Sequence, residues 1–223
     1  MTDRMLEAIG KTFPLTPKKD GGLVACEANG MAFTILSFDA KGLGCVSVMK
    51  GSATHGPMKM DTVIVNPFEK DMALFSYDRI YAMDSDTVFL ELYDTRLDRT
   101  ETPDAAAKVA EDYADIPEQP AAPNWYDDIR LPGCLIKKGK MDLTPRFDDL
   151  TARYLDAYLK LCKDAEKCDR HEKMKAARVY TEGLLSNGGP STDPFIRAKG
   201  REFAEKLFRE TLFGTGDPES RNK

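Results

Sequence analysis

The chain has 223 residues, 42% hydrophobic and 31% charged, a balance suited to one soluble domain with a sizeable core. A net charge of −5 and a pI near 5.2 argue against general nucleic-acid affinity, which needs a basic face. No stretch approaches the ~18 uncharged apolar residues of a membrane span. Met1–Glu7 shows no basic region leading into an apolar run, so a cytoplasmic protein is expected.

A short helix is predicted over residues 3–12, followed by a β-rich third. Leu23–Ala28 and Met31–Phe38 flank Asn29-Gly30, the strongest short-range hairpin signal. Further strands are predicted at Gly44–Met49, Lys59–Asn66, Met72–Ile80 and Thr87–Tyr93, each bounded by Gly, Pro, Asp or Asn. Their short connections favour antiparallel pairing. Residues 100–124 form a long crossing segment. Pro103 opens a helix through Ala105–Tyr113, and Pro117, Pro120 and Pro123 then disfavour regular structure.

After a strand at Gly133–Lys138 the pattern turns helical. Thr144 is expected to cap a helix begun by Pro145, with Phe147, Leu150, Tyr154, Tyr158, Leu161 and Cys162 at three/four spacing. A second helix runs from about Asp169 to Leu185 and stops at Ser186-Asn187-Gly188-Gly189. A third opens at Asp193-Pro194, is interrupted by Gly200, and resumes over Arg201–Phe213 until Gly214. The architecture implied is α+β: a three-layer α/β/α sandwich with a central antiparallel sheet. Residues 1–214 read as one domain and 215–223 as a frayed tail.

Five scattered cysteines without a C-x-x-C pair, and only His55 and His171, supply no zinc or iron–sulfur ligand set. Nucleotide loops and a nucleophile elbow are also absent. The residue of interest is Asp78, a lone carboxylate in the apolar run Met72–Ile80. Strand alternation places it on one face with Leu74, Ser76 and Ile80. If that face is covered, desolvation raises the carboxyl pKa and makes Asp78 a proton donor. The plainer alternative is a solvated strand end, with Arg79 marking the chain's exit from the sheet. His55, in the Gly51–Pro57 loop, is a candidate site-lining residue, whereas His171 reads as surface. Two basic groups, Lys137/Lys138/Lys140 and Arg197/Lys199/Arg201/Lys206/Arg209, suit either solvated surface or capture of anions, substrate carboxylates at one and an acidic protein at the other.

These pieces occur in an order that resembles the ferredoxin-dependent bilin reductases. The matching features are a strand ending in Pro67, then Asp71, Leu74-Phe75-Ser76-Tyr77-Asp78 and Glu91-Leu92-Tyr93-Asp94. Trp125 with Asp128-Ile129 follows, then Cys134–Lys138, the Phe147–Ala165 helix, Tyr180–Asn187, and Gly200–Lys206 with Leu212-Phe213. The related red chlorophyll catabolite reductases resemble the same group. The resemblance implies an α/β/α sandwich holding an open-chain tetrapyrrole between sheet and C-terminal helices. No metal or flavin is implied; electrons come from reduced ferredoxin and side chains supply protons to a bilin radical. It places the catalytic acid at Asp78, with Asp193 or Asp61 assisting. Lys137 or Lys138 stands where the family has a propionate-binding Arg, a swap that keeps the charge and loses the bidentate fork. Asn187, His55 and Ser76 complete the expected substrate contacts. The chain departs from the pattern at Asp61-Thr62, where the family has His or Asn, at Asn187-Gly188, and at Phe203-Ala204. Reduction of a linear tetrapyrrole is the expected function. A non-catalytic tetrapyrrole carrier on the same scaffold, or a domain with an unrelated ligand, are the alternatives.

Overall fold

One antiparallel sheet of eight strands runs through the molecule, β1 (Leu15–Pro17), β2 (Val24–Ala28), β3 (Met31–Ala40), β4 (Gly44–Ala53), β5 (Lys59–Pro67), β6 (Leu74–Ala82), β7 (Ser85–Tyr93) and β8 (Leu135–Lys140). The computed structural model describes residues 1–18, 22–101, 103–120 and 123–216. Asn29 and Gly30 take φ of 50° and 72°, the left-handed pair of a tight hairpin turn, and fold β2 back on β3 with Ala28 opposite Met31. From β3 to β7 each strand pairs with the next, and β8 joins the far side of β7. The three-residue β1, not anticipated from its sequence, pairs with the end of β3 beyond the stretch that β2 occupies.

Strand alternation divides the side chains into two cores. On one face Val46, Val48, Val63, Val65, Phe75, Tyr77, Val88 and Leu90 pack against α1 (Thr2–Thr12), α2 (Ala105–Glu111) and α3 (Thr144–Asp164). Phe75 stacks on Tyr158 of α3 at 5.1 Å, and the Tyr158 hydroxyl donates to the Ala73 carbonyl at 2.8 Å. On the other face Ile35, Met49, Ile64, Leu74 and Tyr93 meet α4 (Arg170–Asn187), α5 (Asp193–Lys199), α6 (Arg201–Lys206) and the π-helical stretch Leu207–Leu212. The α/β/α sandwich is thereby complete. Gly188 at φ 70° ends α4 and Gly200 at φ 88° separates α5 from α6, as their positions in the sequence suggest.

Three features differ from what the pattern predicts. Arg79 does not mark an exit from the sheet: it is 0% exposed on the α3 face, where two of its nitrogens donate to the equally buried Asp86 and a third reaches Asp148 at 3.3 Å. Thr144 is not a cap; its hydroxyl donates to Asp86 Oδ2 at 2.6 Å, tying the start of α3 into the same cluster. Thr215 and Gly216, assigned to a loose tail, are buried. Thr215 offers its carbonyl to Arg178 and Gly216 donates its amide to the Arg209 carbonyl, both at 2.9 Å. Residues 217–223 of that expected tail lie outside the described residues.

Candidate functional site

Register fixes which side chains share the α4–α6 face. Thr62 on β5 lies opposite Asp78 on β6, Asp78 opposite Phe89 on β7, and Phe89 opposite Ile136 on β8. The next row outward is Met60, Ile80, Thr87 and Lys138; the next inward includes Ile64, Ser76 and Glu91. On the α3 face the residues flanking Asp78 are sealed: Tyr77 and Arg79 are both 0% exposed. On the Asp78 face Met60, Ile80, Thr87 and Phe89 are only half-buried, so the helical layer leaves an apolar strip uncovered. With strands about 4.8 Å apart, the strip from β5 to β8 is roughly 14 Å wide.

Asp78 sits at the inner end of this strip. Thr62 Oγ1 donates to its Oδ1, and Ser76 Oγ donates to Oδ2 at 3.4 Å. Burial raises the Asp78 pKa above the ordinary carboxyl value, and these two hydrogen bonds offset only part of the rise. The sheet thus presents a carboxyl with an enhanced hold on its proton, flanked by hydroxyls, to an apolar surface.

A second buried acid shares the face. Glu91 is 8% exposed, directly across the strand pair from Ser76 and therefore diagonal to Asp78. Its Oε2 accepts the Tyr93 hydroxyl at 2.8 Å and its Oε1 pairs with Arg130 at 3.1 Å. Its pKa is also raised, first by burial and in lesser part by the negative charge of Asp78. Behind it lies an aromatic cluster. Tyr93 stacks on Tyr180 of α4 at 4.3 Å and meets Tyr126 edge-on at 5.4 Å, and Trp125 lies 5.8 Å from Tyr180. These rings hold the 123–130 segment against α4. A Cβ on Gly183 would come within 2.1 Å of the Trp125 ring, so the absent side chain makes this docking possible.

The residues singled out from the sequence separate by face. Ser76 is beside Asp78, and Lys138 is exposed at the outer edge of the strip. Lys137 points to the opposite face, is 3% exposed, and donates its Nζ to the Ile116 carbonyl at 2.6 Å; it is a structural strut and unavailable to a ligand over the strip. Asp61 pairs in register with Arg79 and also lies on the α3 face, half-buried, with its pKa raised by burial. The sheet stands between Asp61 and Asp78, so one bound molecule cannot touch both. Asp193 is half-buried at the start of α5, where a Cβ on Gly188 would lie 2.8 Å from its Oδ1. Asn187 is exposed at the end of α4 and donates to the Gly183 carbonyl at 2.9 Å. His55 is exposed in the turn between β4 and β5.

Glu91 and Arg130 were not anticipated as site residues. The period-two signal for Glu91 was present, since Glu91 and Tyr93 alternate as Ser76 and Asp78 do. Arg130 carried no such signal, because it lies in an irregular segment whose docking depends on the aromatic cluster. A cleft of about 460 Å³ between residues 118–120 and 130–136 shares Arg130 and Ile136 with the strip but does not reach Asp78. Its size lies within the range of small-molecule sites.

No family model and no curated protein sequence matches the chain. Among solved structures, tomato phytochromobilin synthase in complex with biliverdin is similar over 96% of this chain and 82% of its own, with a TM-score of 0.75 and 15% identity. At that identity the likeness is one of fold, and it confirms the expected sandwich.

Proposed function

We propose that this protein binds a linear tetrapyrrole on the uncovered strip between sheet and C-terminal helices and reduces it. One-electron steps from an external ferredoxin-type donor would alternate with protonation by Asp78. The observation that carries the reading is Asp78 itself: a carboxyl whose pKa is raised by burial, at the inner end of an apolar strip. It sits on a fold shared with a protein solved with biliverdin bound. A flat conjugated pigment needs such a strip, and its carboxylates need a cation at the rim, where Lys138 stands. A carboxyl whose hold on its proton is strengthened by burial is a better proton source for an electron-rich pigment radical than an ordinary aspartate. The resting protein needs no bound cofactor in this scheme, because the donor brings the electrons.

Biliverdin titration followed by visible absorbance, then anaerobic addition of ferredoxin with its reducing system, tests this. Saturable binding and a shift to shorter-wavelength bands are expected. Asp78→Asn should bind the pigment with turnover lowered by about 10²–10⁴-fold. Undiminished turnover in that variant would remove Asp78 from the reaction. Binding with no bleaching under either ferredoxin or dithionite would make the protein a carrier, and absence of binding would leave only the shared fold.

A further inference from the structure

Saturating one double bond consumes two electrons and two protons, and Asp78 holds one proton. The position of Ser76, in contact with Asp78 and opposite Glu91 in register, points to where the other comes from. Ser76 Oγ donates to Asp78 Oδ2 at 3.4 Å, and Ser76 is the direct cross-strand partner of Glu91, a placement that brings Cβ atoms to about 5 Å. Glu91 is nearly fully buried, yet the groups around it lead outward: its partner Arg130 is 22% exposed, and Tyr126, packed edge-on against its other partner Tyr93, is half-buried. The carboxyl therefore stands between the strip and solvent.

We propose that Glu91 is the second proton source of this site, recharging Asp78 through the Ser76 hydroxyl. The inference rests on the tetrapyrrole-reduction reading. Asp78 gives its carboxyl proton to the one-electron-reduced pigment and becomes a carboxylate. The Ser76 O–H bond breaks toward Asp78 Oδ2 as the Glu91 O–H proton passes to Ser76 Oγ, so the hydroxyl is regenerated and the negative charge moves to Glu91. There the Tyr93 hydroxyl and the Arg130 guanidinium stabilise it. After the second electron arrives from the external donor, Asp78 delivers the second proton, and solvent reprotonates Glu91 beside Arg130.

The test uses the full chain with bound biliverdin, reduced anaerobically with dithionite and followed by rapid-scan absorbance and electron paramagnetic resonance. Glu91→Gln keeps an acceptor for Tyr93 but carries no acidic proton. It is expected to bind biliverdin as wild type does, to complete the first protonation, and then to accumulate a protonated pigment radical, with the second protonation slowed by about 10²-fold or more. A merely structural role for Glu91 would alter binding or melting temperature without this stall. Ser76→Ala leaves the Glu91–Arg130 pair intact and should stall at the same stage; it carries the test if Glu91→Gln melts too low for assay. Completion of both protonations at the wild-type rate in these variants overturns the relay and leaves the reductase reading standing. Failure of the wild type to bind biliverdin overturns both.

Discussion

Asp78, Arg79 and Lys173 are all buried to some degree, and each is treated differently by its surroundings. Asp78 is held by two hydroxyls and no cation, so its folded pKa lies above the ordinary value of 3.8. The sign of the stability effect follows from that direction. The folded state binds the proton more tightly, so the group costs nothing at low pH and becomes a penalty as pH rises through its folded pKa. Asp78→Asn should therefore stabilise the protein at neutral pH by about 0.5–2 kcal/mol and have no such effect near pH 3. Urea denaturation of both proteins at the two pH values decides it; a variant less stable at pH 7 would mean the carboxylate is better accommodated than its environment suggests.

Lys173 shows the opposite case for a base. It is 0% exposed and donates to the Met72 and Thr95 carbonyls, each at 2.8 Å, and to the Thr95 hydroxyl at 3.0 Å, pinning α4 to both chains at the open end of the β6–β7 hairpin. Burial lowers its pKa from 10.5 to about 8. Between these values the unfolded chain binds a proton that the folded one does not, so stability rises with pH across that window and is lost as pH falls through 8. The difference in unfolding free energy between wild type and Lys173→Met, measured at pH 7.5 and 10, should grow in favour of wild type at the higher pH. Arg79 has what Lys173 lacks, a fully buried counter-ion in Asp86. Arg79→Met leaves Asp86 charged without its partner and should cost about 3–5 kcal/mol, while Arg79→Met with Asp86→Leu should recover much of the loss. Thermal melting of the single and double variants checks both statements.

At the scale of elements, much was readable because local chemistry set the boundaries. Asn29-Gly30, Pro67, Gly188 and Gly200 mark turns and ends by backbone preference, and each does so in the structure. Register was not readable. Lys137 and Lys138 were equivalent candidates until pairing with Val88 and Thr87 sent them to opposite faces. The same alternation separated Asp61 from Thr62, and it was Thr62, of the two, that reached Asp78. β1 escaped notice because three residues ending in proline carry too little periodicity to stand out. The docking of the 123–130 segment was invisible for a different reason: it depends on a missing side chain, at Gly183, in a helix distant in sequence.

That docking yields a prediction belonging to the same scale. Gly183→Ala relieves a helical glycine by up to about 1 kcal/mol but drives a methyl group into the Trp125 ring. The two effects oppose one another, so melting temperature should change little. Trp125 is the only tryptophan in the chain, and its emission should shift to the red as the ring is displaced into water. Unchanged emission would show that the segment is held by other contacts.

Across the whole molecule, the sheet carries one core on each side. Helices α1 to α3 seal their face completely around Tyr77 and Arg79, and the C-terminal layer covers its own face only in part. The sealed side supplies cohesion, and the open strip can then hold polar groups that would weaken a protein with a single core. No helix among the described residues is long and apolar enough to cross a membrane.

The alternation within β6 has a hereditary consequence. Changes at 75, 77 and 79 fall on the sealed side and should be felt as lost abundance in a cell, since a destabilised chain is cleared by quality control. Changes at 76 and 78 fall on the open side and should leave the amount of protein intact while abolishing the proposed pigment reduction. A lineage could therefore shed the chemistry in one substitution and keep a well-folded pigment holder. A library of single substitutions scored separately for cellular level and for turnover should show the two scores alternating residue by residue along this strand.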